Sequence, residues 1–169
     1  MRQPLAATGS AVFFVLAPGT VAGAVPWWLT GWHARRPWWL PLQVAGVAVL
    51  TAAVAVLVAA FVRFVTEGRG TPAPVAPTET LVVGGLYRYV RNPMYVAVVA
   101  AVLGQALLLG RAVLLAYAAA VWLCVAAFVR WYEEPVLAAR YGARYEAYRR
   151  AVPAWRPRLR PWTPDVAPP

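Results

Sequence analysis

The sequence predicts an all-α fold: a polytopic membrane helix bundle with about four transmembrane helices, the last two in a tight hairpin, followed by a C-terminal amphipathic interfacial helix. Three observations carry this prediction. Hydrophobic residues make up 62% of the chain and charged residues only 13%, whereas a soluble domain has about 25% charged residues. Four long runs contain no charged residue. All 16 basic residues are arginines, and they lie mostly between or after these runs.

The uncharged runs have lengths suited to membrane spans, which need roughly 20 apolar residues, with a range of about 17–25. The runs are Leu5–Trp32, Pro37–Val62, Asn92–Gly110 and Ala112–Val129. The first two are ample and the last two are near the lower limit. Because only a Gly110-Arg111 turn joins the last two, they should form an antiparallel hairpin. Pro18 and Pro26 should kink or break the first helix, which a membrane bundle tolerates when neighbouring groups bind the freed carbonyls.

The N-terminal run has two interpretations. Arg2 before an apolar stretch is also typical of a signal peptide. The run is longer than the usual core of a signal peptide, and Ala22-Gly23-Ala24 is only a vague cleavage site, so we favour a retained helix. Tryptophans surround the loop that follows and predict an aromatic belt at the membrane interface, with a binding role as the alternative. They are Trp27, Trp28, Trp32, Trp38 and Trp39.

The arginines predict the orientation in the membrane. With four spans and a cytoplasmic N-terminus, 13 of the 16 arginines lie inside and only Arg35, Arg36 and Arg111 lie outside, as the positive-inside rule requires. Both termini are then cytoplasmic. The net charge of +10 could suggest a nucleic-acid partner, but arginines that flank apolar runs indicate a membrane and no nucleic acid. The bias toward arginine, alanine, valine and proline is typical of a GC-rich genome, so we expect a bacterial inner (cell) membrane.

Three regions follow from this pattern. Residues 1–66 hold the two N-terminal transmembrane helices, residues 67–153 hold a cytoplasmic loop, the hairpin and the amphipathic helix, and residues 154–169 form an irregular proline-rich tail. Glycines and prolines within Glu67–Thr80 indicate the loop. A single cysteine, Cys124, and a single histidine, His33, exclude an intrachain disulfide and a Cys/His metal cluster, so no metal is expected.

The amphipathic helix should begin at Glu133-Glu134-Pro135, because acidic residues and proline suit a first helical turn. An apolar stripe then recurs at spacings of four, four and three residues, and arginines occupy many of the other positions. The stripe consists of Leu137, Tyr141, Tyr145 and Tyr148. Pro153 should end the helix.

Two polar elements lie at the ends of the hairpin. Residues 85–95 carry two arginines, three tyrosines and an asparagine at the start of the third span, and Arg130–Glu134 end the fourth. A hairpin brings both elements to the same side, so they can meet at the mouth of one cavity. Ionisable groups at the end of a span are candidates for function, and helix N-terminal N–H groups can bind an anionic group. Taken singly, each residue also fits an interfacial anchor or a helix start.

Four motifs follow one another in this part of the chain. They are Gly85-x-Tyr87-x-x-x-Arg91-Asn92-Pro93-x-Tyr95, Glu133-Glu134, Tyr141-Gly142-x-x-Tyr145-x-x-Tyr148 and Val152-Pro153. In this order they resemble the C-terminal signature of the isoprenylcysteine carboxyl methyltransferase and phospholipid methyltransferase superfamily. The resemblance covers about residues 79–153, nearly half of the chain. The first two spans share only a general hydrophobic character with that superfamily.

The resemblance implies a small integral membrane enzyme that uses S-adenosyl-L-methionine to methylate a lipophilic small molecule or lipid. It also implies a set of cofactor contacts. These are Glu79, Thr80, Leu81, Val82, Tyr87, Asn92, Pro93, Met94, Tyr95 and, from the acidic pair, Glu133. A family arginine near the acidic pair faces the substrate, and its nearest match is Arg130, offset by about one position. Arg130 is therefore one candidate catalytic residue, and Glu134, the other member of the acidic pair, is the second.

Asn92 stands where the family usually has histidine. Asparagine can donate and accept hydrogen bonds, but it does not titrate near neutral pH as histidine does. We therefore expect Asn92 to hold the cofactor, and we expect no acid/base role at this position.

The chemistry implied by the resemblance needs few acid/base groups. Methyl transfer from a sulfonium depends mainly on alignment, which can supply roughly 7–11 kcal/mol. A carboxylate acceptor needs no base, whereas an amine or thiol acceptor would need Glu133, Glu134 or a tyrosine. Two alternatives remain open. An NADPH-dependent membrane reductase of the sterol-reductase type has a similar Arg-x-Pro-x-Tyr block but is usually longer, and a non-enzymatic membrane accessory protein would fit the change at Asn92.

Overall fold

The computed structural model describes residues 16–35, 38–68 and 80–163. Within these ranges all regular secondary structure is helical, which confirms the predicted all-α fold. The start of the first uncharged run, nearly all of the predicted loop and the end of the tail lie outside the described residues, and so does Glu79.

The chain forms an N-terminal helix, a long second helix, a hairpin and two short helices. The N-terminal helix, described from residue 16 to residue 30, contains a π-helical turn at Thr20–Ala24 and ends with α1 (Val25–Thr30). The next elements are α2 (Leu40–Gly68), a 3₁₀ turn (Gly85–Arg88), α3 (Pro93–Leu109), α4 (Ala112–Phe128), a second π-helical turn (Val129–Glu133), α5 (Glu134–Tyr141) and α6 (Ala143–Ala151).

The first π-helical turn shows how the N-terminal helix accommodates Pro26. This proline has no N–H to donate to the carbonyl of Ala22, four residues earlier. Gln105 of α3 supplies the missing donor, because its Nε2 lies 2.7 Å from Ala22 O. The Tyr117 hydroxyl of α4 likewise donates to Val21 O at 2.9 Å. Helical backbone therefore continues on both sides of Pro26 without a break, since side chains of two other helices bind the freed carbonyls.

The structure differs from the prediction at the end of the fourth span. A separate helix was expected to begin at Glu133-Glu134-Pro135, whereas helical backbone runs without interruption from Ala112 to Tyr141. The π-helical turn directly before Pro135 lets the helix continue past this residue. The amphipathic segment divides instead at Gly142, whose φ of +52° is readily adopted only by glycine.

The apolar stripe of the amphipathic segment packs against the protein itself. Its last two residues belong to a buried cluster of five residues, against which Leu137 and Tyr141 also pack. The cluster consists of Leu81, Val83, Tyr145, Tyr148 and Val152. Leu81 and Val83 thus cover the stripe, while the arginines of α6 stay exposed.

Two helices are long and apolar enough to cross a membrane: Leu40–Glu67 and Ala112–Tyr141. Only 22% and 17% of the residues in their most apolar windows are buried. A core helix of a soluble protein would be mostly buried, so these apolar surfaces are suited to lipid. The shorter apolar helix Pro93–Leu109 lies between them in the chain. These features confirm a helical membrane bundle.

Helices α2 and α3 approach each other closely at two glycines. A Cβ atom added to Gly46 would collide with the backbone nitrogen of Leu108, and one added to Gly104 would lie 2.8 Å from the backbone nitrogen of Leu50. Small residues at such crossings are typical of membrane helices, because they let the backbones pack directly. This contact fixes α3 against the long second helix and so sets the position of the hairpin.

The hairpin turn is the predicted one. Gly110 ends α3 with a φ of +65°, the left-handed conformation common after a helix C-terminus, and α4 begins two residues later at Ala112. Trp38 caps this end, since its Nε1 donates to Leu107 O at 2.7 Å. The other tryptophans of the predicted belt, Trp27, Trp28, Trp32 and Trp39, are exposed.

Candidate active site

The hairpin brings the two predicted polar elements together. Tyr95 lies in the first turn of α3, and Glu133 ends the π-helical turn after α4. The Tyr95 hydroxyl donates to Glu133 Oε2 at 3.1 Å. Because α3 and α4 are antiparallel, the start of one helix meets the extension of the other. The two polar elements therefore meet at Tyr95 and Glu133, as the hairpin predicted.

A cavity of about 450 Å³ lies between the N-terminal helix, α2, α3 and α4. Small-molecule sites have volumes of about 300–1,000 Å³, so this cavity can hold a ligand. The polar groups gather at one end and the remaining walls are largely apolar. The polar end and its surroundings comprise Tyr87, Arg91, Asn92, Pro93, Met94, Tyr95 and Glu133.

The two adjacent glutamates have different partners. Glu133 lines the cavity and accepts the hydrogen bond from Tyr95. Glu134 Oε1 instead lies 2.6 Å from Arg91 Nη1. Neighbouring residues of a helix do not share a face, so one carboxylate points into the cavity while the other joins an ion pair beside it.

Arg91 is held on several sides. Its Nη1 also donates to the Tyr145 hydroxyl at 3.1 Å, and its Nε donates to Val152 O at 2.9 Å. Arg91 therefore lines the cavity with its charge balanced by Glu134. Within the described lining, Glu133 is the carboxylate without a cationic partner.

Three tyrosines at or next to the polar end are buried. Burial raises the pKa of Tyr145 to about 12, and it raises the pKa of Tyr87 and Tyr148 even further above the usual range. The Tyr148 hydroxyl donates to Tyr87 O at 2.7 Å. These phenols therefore stay protonated near neutral pH, which disfavours them as bases.

Several predicted site residues lie outside the cavity lining. Thr80 is exposed and donates to Glu67 O at 2.6 Å. Leu81 and Val82 are buried, and Val82 packs in one cluster with Tyr87. Arg130 is exposed on the helix surface. The structure thus brings together Tyr87, residues 92–95 and Glu133, and it places the other described candidates around them.

The sequence analysis missed the apolar walls of the cavity. They come from the N-terminal helix, from α2, from α3 and above all from α4. The residues are Ala17, Pro18, Val21, Leu57, Phe64, Val98, Tyr117, Ala120, Val121, Cys124 and Val125. In spans that are apolar all round, hydropathy does not distinguish a cavity-facing side from a lipid-facing side. Tyr117 and Cys124, both with a polar atom in an apolar span, were the available signals.

Comparison with known proteins gives one match. The model of a family described as phospholipid methyltransferase matches residues 42–144, which is more than half of the chain and runs from the first turn of α2 to the start of α6. The search of curated proteins and the search of solved structures found no match. The matched region holds Tyr87, residues 92–95 and Glu133, and it agrees with the resemblance drawn from the ordered motifs. The chain belongs to the phospholipid methyltransferase family.

Proposed function

We propose that this membrane protein transfers a methyl group from S-adenosyl-L-methionine to a lipophilic acceptor at the cavity between its helices. One observation carries the proposal: the hydrogen-bonded Tyr95–Glu133 pair lies at the polar end of a cavity whose other walls are largely apolar. Such a cavity suits a charged cofactor at its polar end and a lipophilic acceptor along its apolar walls. Membership of a methyltransferase family supports the reaction class.

The residues present fit the cofactor. S-Adenosylmethionine supplies an activated methyl group on a positively charged sulfonium. The Glu133 carboxylate can hold a ribose hydroxyl or an ammonium group by charge-assisted hydrogen bonds. Among the described ion pairs, none involves Glu133, whereas Glu134 pairs with Arg91. The further cofactor contacts we propose are Tyr87, Asn92, Pro93, Met94 and Tyr95, all of which line the cavity.

The supporting residues have separate proposed roles. Leu81 and Val82 would act by packing, since Val82 lies in the cluster beneath Tyr87. Glu134 would position Arg91 and would not touch the reacting groups. Arg130, exposed near the acidic pair, would meet an acceptor headgroup only outside the cavity.

The chain itself can align the acceptor, exclude water and accept a proton. Apolar side chains such as Val98 and Val121 would hold a hydrocarbon chain and keep water out. An amine or thiol acceptor would lose its proton to Glu133, because the buried tyrosines are poor bases. A carboxylate acceptor would need no base.

The binding experiment uses the full chain in detergent and S-adenosylhomocysteine as the titrant, followed by calorimetry. Loss of a charge-assisted hydrogen bond costs about 1.5–3 kcal/mol, so Glu133→Gln should weaken binding by roughly 10- to 100-fold. The matched control is Glu146→Gln, which removes a half-exposed carboxylate of α6 and should leave the affinity unchanged. Absence of binding at millimolar titrant would reject the proposal.

The same preparation separates the two rival functions. Tighter binding of NADPH than of S-adenosylhomocysteine would favour a reductase. Cofactor binding without transfer of label from methyl-labelled cofactor to any lipid extract would favour an accessory protein. Labelling of a lipid-extractable species would support the enzyme and identify its acceptor.

We also propose that the cavity mouth faces the cytoplasm of a bacterial cell, in its inner membrane. Of the 16 arginines, 13 belong to that side in the orientation inferred above. A cytoplasmic mouth gives the polar end direct access to a soluble cofactor.

A further inference from the structure

The chain that follows α6 is bound to the start of α3 by three consecutive carbonyls. Val152 O accepts from Arg91 Nε at 2.9 Å, and Pro153 O accepts from the Arg91 backbone N–H at 2.9 Å. Ala154 O accepts from Asn92 Nδ2 at 3.2 Å. Both donor residues line the cavity. This contact therefore connects the end of the chain directly to the candidate site.

A second set of contacts extends the attachment. The backbone N–H of Arg158 donates to Tyr89 O at 3.0 Å, and that of Trp162 donates to Arg88 O at 2.9 Å. Arg88 Nε returns a hydrogen bond to Trp162 O at 2.7 Å. Residues 152–162, named here the C-terminal clasp, thus run along residues 88–92 without forming a helix of their own.

The clasp lies beyond the region that the family match covers, which ends at residue 144. Tyr148 of α6, also beyond that limit, donates to Tyr87 O and packs its ring 5.4 Å from that of Trp162. The backbone between Tyr87 and Asn92 is consequently held from one side by residues 145–162. The cavity-lining residues Tyr87, Arg91 and Asn92 therefore depend on this segment for their position.

Asn92 has an unusual role for a residue that precedes a helix. An asparagine at this position normally caps the helix by accepting from a first-turn N–H. Asn92 makes no such bond, and its Nδ2 donates to Ala154 O. The Asn92 side chain therefore accepts no hydrogen bond from the first-turn N–H groups of Met94 and Tyr95.

We infer that the C-terminal clasp is a positioning element of the cofactor site, and that Asn92 is the residue through which it acts. The inference rests on the proposed function for the identity of the ligand. Asn92 donates to Ala154 O, and this bond keeps its side chain from capping α3 and keeps Arg91 beside Glu134. A titrating group is not required at this position, since only a donor is used.

Two substitutions separate donation from other properties of the residue. In Asn92→Asp the donor is lost, the carboxylate repels Ala154 O, and it can turn to cap the first-turn N–H groups of α3. In Asn92→His a ring N–H can donate to the same carbonyl. Arg156→Gln, an exposed position within the clasp, is the matched control.

Two readouts test the inference on the full chain in detergent. The first is the dissociation constant for S-adenosylhomocysteine. Asn92→Asp should raise it by about tenfold, corresponding to one lost hydrogen-bonding arrangement, and Asn92→His should raise it less. Arg156→Gln should stay within about threefold of the wild type. The second is hydrogen exchange of residues 88–92 and 152–162, which should accelerate in Asn92→Asp and recover in Asn92→His.

The outcomes distinguish this inference from the proposed function. Equal affinities in Asn92→Asp and the wild type, or equally fast exchange in Asn92→His and Asn92→Asp, would overturn it. If Asn92→Asp fails to fold, Asn92→Ala, which lacks both the donor and the capping acceptor, takes its place in both measurements. A wild type that binds no S-adenosylhomocysteine would reject the proposed function, and hydrogen exchange would still decide whether Asn92 holds the clasp.

Discussion

Arg91 and Glu134 form an ion pair beside the cavity, with Nη1 and Oε1 2.6 Å apart and both side chains only 12% exposed. The neighbouring Glu133 is left to the cavity and to Tyr95. The two carboxylates of one acidic pair thus have different surroundings: one forms an ion pair and the other lines the cavity.

The ion pair predicts a large effect of Glu134→Gln on stability. Removing one partner leaves the Arg91 charge without compensation in a largely buried place, which costs about 3–5 kcal/mol. Thermal melting in detergent should show this loss. Glu146→Gln is the comparison, because its partner Arg149 is 42% exposed and such pairs contribute about 0–1 kcal/mol. Similar melting temperatures for the two variants would contradict the assignment.

The close packing of α2 and α3 predicts that Gly104→Ala destabilises the bundle. The added methyl group would lie 2.8 Å from the backbone nitrogen of Leu50, and overpacking costs about 1–3 kcal/mol. Gly23→Ala is the control, since nothing lies within 4 Å of a Cβ there and alanine is the better helix former. We expect a lower melting temperature for the first variant and an equal or higher one for the second; the reverse order would exclude a tight crossing.

Gln105 and Pro26 predict a compensating pair of substitutions. Gln105→Leu leaves Ala22 O without its side-chain donor, which costs about 1–3 kcal/mol in an apolar environment. Pro26→Ala restores a backbone N–H that can reach the same carbonyl. The double variant should therefore be more stable than Gln105→Leu alone, by thermal melting. Simple additivity of two destabilising effects would count against this explanation of the π-helical turn.

Tyr145 predicts loss of stability at alkaline pH. Its pKa in the folded protein is about 12, above the ordinary value of about 10. The unfolded chain therefore loses this proton first, and the stabilisation that is complete below pH 10 disappears as the pH rises toward 12. Melting temperatures between about pH 9 and pH 12 should fall less steeply in Tyr145→Phe than in the wild type. Parallel curves would show that this phenol does not contribute.

The arginine distribution predicts the topology. A periplasmically active reporter fused after residue 163 should be inactive, whereas the same reporter inserted in the turn at Arg111 should be active, because the hairpin turn and the C-terminus lie on opposite sides. Activity in the C-terminal fusion would reverse the proposed orientation.

The amino-acid sequence by itself determined the membrane bundle, the hairpin and the family. Hydropathy and the Gly110-Arg111 turn are local properties, and the order of motifs between Gly85 and Pro153 can be found without coordinates. These features predicted correctly that the segment around Tyr95 meets Glu133.

Only the tertiary structure decided how the groups in that region are used. A π-helical turn sets the direction in which Glu133 and Glu134 point, and local sequence propensity does not predict this turn. The backbone carbonyls of Val152 and Ala154, which accept from Arg91 and Asn92, lie about sixty residues away in the chain, where the amphipathic segment passes into a tail that composition alone describes as irregular. The cavity walls belong to helices that are apolar on every side, so their inward face depends on packing between helices and is absent from any single segment.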